Sequence, residues 1–61
     1  MIKYYVMKMK ETTSCGKFFE TVATRKSWFD AMEDAEVLKD AGQTVQIVEV
    51  VDGNVVIAYM V

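Results

Sequence analysis

The pattern of apolar and polar positions divides the chain into two pairs of strands separated by a helix. Residues 2–11, 17–25, 44–51 and 55–61 are rich in aromatic and β-branched side chains, which is typical of strands. Residues 28–41 instead repeat apolar side chains at helical spacing. The pattern predicts a single α+β domain over residues 1–61 with the order ββαββ. We expect a four-stranded antiparallel sheet with one helix packed on one face.

The helix has recognisable signals at both ends. Ser27 is a favourable N-cap residue, and Asp30 three positions later resembles a weak capping box. Gly42 suits the left-handed position that commonly follows a helix. The side chains predicted to face the sheet are Trp28, Ala31, Met32, Ala35 and Leu38.

The first hairpin is predicted to turn through residues 12–16. This loop pairs opposite charges and apolar side chains across the strands, which stabilises a sheet. A shorter turn at Cys15 and Gly16 would place Glu11 opposite Glu20, so the longer loop is favoured. The pairs it predicts are Glu11–Lys17, Lys8–Glu20 and Met9–Phe19.

The second hairpin is predicted to turn at Asp52 and Gly53, because Asp-Gly suits the positive φ angles of a tight primed turn. An uninterrupted ladder beyond this turn predicts the pairs Val50–Val55, Val48–Ile57 and Gln46–Tyr59.

Apolar residues occupy both faces of the second hairpin, although a single helix covers only one. In the predicted register, one face carries Val48, Val50, Val55, Ile57, Tyr59 and Val61. The other carries Val45, Ile47, Val51, Val56, Ala58 and Met60. A second apolar sheet face is larger than the scattered apolar surface of an ordinary monomer. We therefore expect a homodimer through that second face.

Length and composition limit the ways in which this chain can be stabilised. A chain of 61 residues buries only about 60% of its unfolded surface and is marginally stable alone. One cysteine excludes an internal disulfide, and the absence of histidine argues against a zinc site. We expect no metal and no cofactor, which leaves oligomerisation as the remaining stabiliser.

Charge is divided between the two halves of the chain. Residues 1–26 carry a net charge of +4 and residues 27–61 a net charge of −6. The acidic residues concentrate on the solvent side of the helix, beside two apolar side chains. This arrangement predicts a surface that docks a basic macromolecule, most simply a protein; the alternative is a solvated acidic face that serves solubility alone. Its residues are Phe29, Asp30, Glu33, Glu36, Val37 and Asp40.

The basic first hairpin supports an alternative, which is nucleic-acid binding. Lysines beside aromatic residues can hold phosphates while bases stack on the rings. The overall acidic balance and the single arginine argue against it. The candidate residues are Lys3, Lys8, Lys10, Lys17, Arg25 and Lys26.

Catalytic chemistry has little support in this sequence. Without histidine there is no His-based general base, and Cys15 has no base to activate it. The three glycines are scattered, so no phosphate-binding loop is formed. We predict that the protein is not an enzyme. A further alternative is binding of a small ligand in a dimer cleft, for which the sequence indicates no candidate residues.

The chain begins directly in a strand pattern and contains no apolar run long enough for a membrane span. With its unpaired cysteine, this predicts a soluble protein of a reducing cytoplasm. In size and element order the chain resembles the small hairpin–helix–hairpin proteins often encoded by bacteriophages, some of which inhibit host defence complexes. The resemblance implies an inhibitor or modulator acting in the host cytoplasm, and it carries no functional residue over.

Overall fold

The computed structural model describes residues 1–61 and contains four strands and one helix. The strands are β1 (Ile2–Thr12), β2 (Gly16–Arg25), β3 (Val45–Val51) and β4 (Asn54–Met60), and the helix α1 is Trp28–Asp40. No end differs from its predicted position by more than one residue. The helix is too short and too polar to cross a membrane.

The four strands form one antiparallel sheet in the order β2-β1-β3-β4. The two hairpins therefore join through β1 and β3, which become the central strands, while β2 and β4 form the edges. The helix lies across one face and contacts β1, β2 and β3. The predicted ββαββ fold is confirmed. We call the sheet side that carries α1 the helix side and the other the open side.

Backbone hydrogen bonds, rather than side chains, close the ends of α1. Ser27 occupies the N-cap position, but its side chain makes no capping hydrogen bond, so the predicted side-chain cap is wrong. At the other end, Gly42 has a φ of 87°. The Gln43 amide donates to the Leu38 carbonyl at 3.1 Å and the Gly42 amide to the Lys39 carbonyl at 2.9 Å. This is a Schellman ending, which satisfies carbonyls that the helix leaves free.

The first hairpin has the predicted register near its tip. Glu11 pairs with Lys17, Lys8 with Glu20 and Met9 with Phe19. The turn itself is Thr13–Cys15, held by a hydrogen bond of 3.0 Å from the Cys15 amide to the Thr12 hydroxyl. Further along, Val22 is an extra residue in β2 between the pairs of Val6 and Met7.

The second hairpin departs from the predicted register four residues after its turn begins. Asp52 and Gly53 have φ angles of 50° and 83°, as a type I′ turn requires, and Val50 pairs with Val55. Val56 is then an extra residue, since Glu49 pairs with Ile57. The predicted pairs Val48–Ile57 and Gln46–Tyr59 are wrong, and the observed pairs are Val48–Ala58 and Gln46–Met60.

This bulge turns the second half of β4 over. Residues opposite each other in an antiparallel pair share a face of the sheet. Tyr59 pairs with the buried Ile47 and its ring contacts Trp28 on α1, so it lies on the helix side. Ala58 and Met60 therefore lie on the open side. The two predicted apolar faces consequently exchange members, with Ile57, Tyr59 and Val61 joining the side that carries Ile47.

The core between α1 and the sheet is small. Ala31 and Ala35 lie fully buried against Val6, Val45 and Ile47. Trp28, Met32 and Leu38 pack around them, so the predicted inner stripe of the helix is confirmed. Only 7 of the 61 residues are buried, which leaves most large apolar side chains at least partly accessible.

An aromatic group closes the core at the start of α1. The Trp28 ring meets Tyr4 of β1 at a centroid distance of 5.8 Å and Tyr59 of β4 at 4.7 Å, both edge to face. Such pairs add about 0.5–1.5 kcal/mol beyond their buried area. Through Trp28, α1 reaches the edge strand β4.

Candidate functional site

The solvent side of α1 brings together the residues that were predicted from the sequence to bind a macromolecular partner. Helical spacing turns them away from the core stripe, and every one of them is exposed. Phe29 is 83% exposed and Val37 67% exposed, so both apolar side chains face solvent. We call this surface the outer face of α1: Phe29, Asp30, Glu33, Glu36, Val37 and Asp40.

The acidic charge of α1 is neutralised at one place only. Arg25, at the end of β2, donates from Nε to Asp34 Oδ2 at 2.6 Å and from Nη2 to Asp34 Oδ1 at 3.3 Å. The hydrogen bond and charge of Asp34, with smaller contributions from Asp30 and Glu33, raise the pKa of Arg25. Asp34 is thereby occupied within the molecule. The four carboxylates of the outer face make no ion pair with a basic side chain.

The candidate nucleic-acid residues do not form one surface. Arg25 is held by Asp34, and Lys10 Nζ lies 3.7 Å from Glu20 Oε2 on the helix side. Lys3 pairs with Val50 on the open side, and Lys17 pairs with Glu11 near the hairpin tip. The remaining two are Lys8 on the helix side and Lys26 between β2 and α1. The basic charge is thus spread over both faces and along the length of β1.

The open side of the sheet is apolar but already partly closed. Val48 and Val50 of the central strand β3 are only 9% and 8% exposed, although no helix covers them. Tyr5 and Met7 flank them on β1 and are half-buried. Together with Thr21, Gly53 and Val55, these residues line a shallow groove across the face.

The strongest apolar exposure of the sheet lies at β4. Val55 is 69% exposed, Met60 65% exposed, and Val56 and Ile57 are also exposed. The structure thus concentrates the surplus apolar surface on one edge strand. The sequence contained a signal for this apolar surface, since residues 54–61 include no charged side chain.

Tyr59 is the polar anchor of β4. Its hydroxyl donates to Glu49 Oε1 at 3.3 Å. Burial of the ring, together with the charge and hydrogen bond of Glu49 and the proximity of Tyr4, raises the pKa of Tyr59. This contact was not predictable from the sequence, because it requires the bulge that brings Tyr59 to the helix side.

The remaining reactive groups are isolated. Cys15 is an exposed free thiol at the tip of the first hairpin, with the Ser14 hydroxyl 3.7 Å from its sulfur. No three His, Cys, Asp or Glu side chains are grouped to hold a metal ion.

The chain matches no protein-family model, no curated protein and no solved structure.

Proposed function

We propose that the protein is a non-enzymatic binding protein that occupies a site on another macromolecule through the outer face of α1. The observation that carries this proposal is the exposure of Phe29 amid unpaired carboxylates. An aromatic side chain held on a rigid helix can fill a partner's pocket at small entropic cost, and such residues often dominate binding energy. Surrounding charge steers the approach and selects the partner.

The partner that fits this surface is a protein with a basic rim around an apolar pocket. Four carboxylates on one helical face attract lysines and arginines. They also repel one another, since like charges four residues apart cost a few tenths of a kcal/mol. Occupying a basic site in this way would make the protein an inhibitor or modulator, as the phage-type architecture suggests.

We further propose that the protein acts as a homodimer in the cytoplasm. The small core and the apolar open side of the sheet support self-association, because dimerisation would bury surface that the monomer leaves accessible. The second sheet face is the interface expected from the sequence. The outer face of α1 lies on the opposite side of the molecule and would remain available to a partner.

A matched pair of charge reversals tests the role of the outer face. Glu36→Lys and Glu11→Lys each reverse one exposed carboxylate and change the net charge equally, but only Glu36 lies on the outer face. We expect Glu36→Lys to weaken capture of the partner about tenfold or more, and Glu11→Lys to leave it nearly unchanged. The measurement is affinity capture from cells, quantified by mass spectrometry against wild type.

Stability separates a binding effect from damage to the fold. Glu36→Lys removes a like-charge pair with Asp40, so it should raise the free energy of unfolding by about 0.2–0.5 kcal/mol. Loss of partner with unchanged or higher stability supports the proposal. An identical set of captured proteins for wild type and both variants would refute it. Absorbance at 260 nm in excess of that of protein, on size-exclusion chromatography, would favour the nucleic-acid alternative.

A further inference from the structure

The two edges of the sheet differ in how they are protected against pairing with another strand. Exposed edges commonly carry charged side chains, proline or bulges, which prevent edge-to-edge association. The edge strand β2 has Lys17, Glu20 and Arg25 and a bulge at Val22. The edge strand β4 has a single bulge at Val56, and residues 54–61 include neither a charged side chain nor a proline. Only β4 therefore presents a neutral apolar edge.

Backbone groups on the free side of β4 are available for pairing. The Val61 amide donates to the Val45 carbonyl at 3.1 Å, so the backbone groups of Val61 point toward β3. Along an antiparallel strand, consecutive residues direct these groups to opposite sides. The N–H and C=O groups of Met60 and Ala58 therefore point away from the sheet, where no strand accepts them.

We propose that the β4 edges of two copies pair antiparallel about a two-fold axis and form one continuous eight-stranded sheet. This inference rests on the homodimer of the proposed function. It places the dimer interface at the β4 edge instead of the open side of the sheet. Pairing would satisfy the outward groups of Ala58 and Met60. It would also cover apolar side chains on both faces of the strand, namely Val55, Val56, Ile57 and Met60.

Charge identifies a second copy as the occupant. Two identical surfaces attract only where they carry no strong charge of one sign, and β4 carries none. The outer face of α1 would repel its own copy. Because the backbone of α1 lies against β1, β2 and β3, and β4 is met by the Trp28 ring, edge pairing keeps the two acidic helices apart. Both outer faces then remain free.

A matched pair of lysine substitutions distinguishes a dimer interface at the β4 edge from one on the open side of the sheet. Thr24, Tyr5, Val48 and Ala58 form one row across the four strands, so Thr24 and Ala58 lie on the open side at opposite edges. Both are exposed. Edge pairing predicts that Ala58→Lys weakens dimerisation at least tenfold, whereas Thr24→Lys leaves it within about threefold of wild type.

A proline at the same position isolates the contribution of the backbone. Ala58→Pro removes an outward N–H that β3 does not use, which an edge strand tolerates, but it blocks pairing with a second strand. Light scattering over a range of concentrations gives the mass, relative to 6.9 kDa for one chain. We expect the wild type at twice that mass, and Ala58→Pro and Ala58→Lys at the mass of one chain. Circular dichroism checks that both variants remain folded.

Amide exchange in the wild type supplies a measurement that needs no variant. The amides of Ala58 and Met60 should be protected in concentrated solution and lose protection on dilution. A wild-type dimer in which these amides exchange freely, or in which Thr24→Lys is as disruptive as Ala58→Lys, would overturn the edge interface while retaining the dimer. A wild-type mass of one chain at every concentration would overturn both.

Discussion

The outer face of α1 and the β4 edge both expose large apolar side chains, yet they differ in charge. Phe29 and Val37 lie among four carboxylates, whereas Val55 and Met60 belong to a run of eight residues without a charged side chain. The helix presents only side chains, because its backbone is satisfied internally. The edge strand presents side chains together with free backbone donors and acceptors.

This difference indicates what each surface can bind. An apolar contact ringed by charge of one sign excludes its own copy and selects an oppositely charged partner. A neutral strand edge does not repel its own copy, and an identical strand is always present at the same concentration. In our proposal, the placement of charge separates self-association through β4 from recognition of a partner through the outer face of α1.

The largest expected effect is on the free energy of unfolding, at Trp28, which joins α1 to β4. Trp28 and Phe29 are adjacent aromatic residues, but Trp28 contacts Tyr4 and Tyr59 while Phe29 projects into solvent. We expect Trp28→Ala to lower the free energy of unfolding by about 2–3 kcal/mol, because it removes a half-buried ring that joins α1 to β4. Phe29→Ala should change it by less than about 0.5 kcal/mol while weakening partner capture. Urea unfolding measures both, and equal losses would contradict this division of roles.

Salt should distinguish the two surfaces by a smaller effect. Raising the salt concentration from about 0.1 M to about 1 M shortens the Debye length from about 10 Å to about 3 Å. Partner binding through the outer face of α1 should weaken about tenfold, whereas the dimer dissociation constant should change less than about threefold. Retention of captured partner through salt washes and light scattering at both salt concentrations provide the comparison. A dimer that dissociates at high salt would contradict a neutral interface.

The smallest effect concerns the polar anchor of β4. Burial and Glu49 raise the pKa of Tyr59 above its ordinary value of 10.0. Above that pH the unfolded tyrosine ionises while the folded one keeps its proton, so the free energy of unfolding falls as pH rises. Between about pH 9 and about pH 11 we expect a smaller fall for Tyr59→Phe than for wild type. Glu49→Gln should give an intermediate fall, and identical urea midpoints for all three across this range would contradict the assignment.

The elements that were predictable depend on local signals. Aromatic and β-branched side chains marked the strands, Asp52-Gly53 matched its turn, and Gly42 marked the end of α1. The exposure of the outer face also followed from helical spacing, because a helix repeats every 3.6 residues whatever it packs against. These features arise within a few residues of one another and are therefore readable along the chain.

The features that were not predictable depend on contacts between distant residues. The bulge at Val56 moves the side chains of residues 57–61 to the opposite sides of the sheet from those predicted, and no residue type in β4 predicts the bulge. Its result is that Tyr59 meets Trp28 and Glu49 on the helix side. Likewise, Arg25 belongs to the basic half of the chain but is held by Asp34, because α1 packs beside the end of β2.

By itself the sequence determined the order of the elements, the inner and outer sides of α1 and the charge of each half. These follow from the periods of helix and strand and from local turn chemistry. The tertiary structure decided which strands lie at the edges, which side β4 presents and which charges are left free. One inserted residue reverses every side chain beyond it, and only the pairing of β3 with β4 and the fit of α1 against the sheet select where that residue lies.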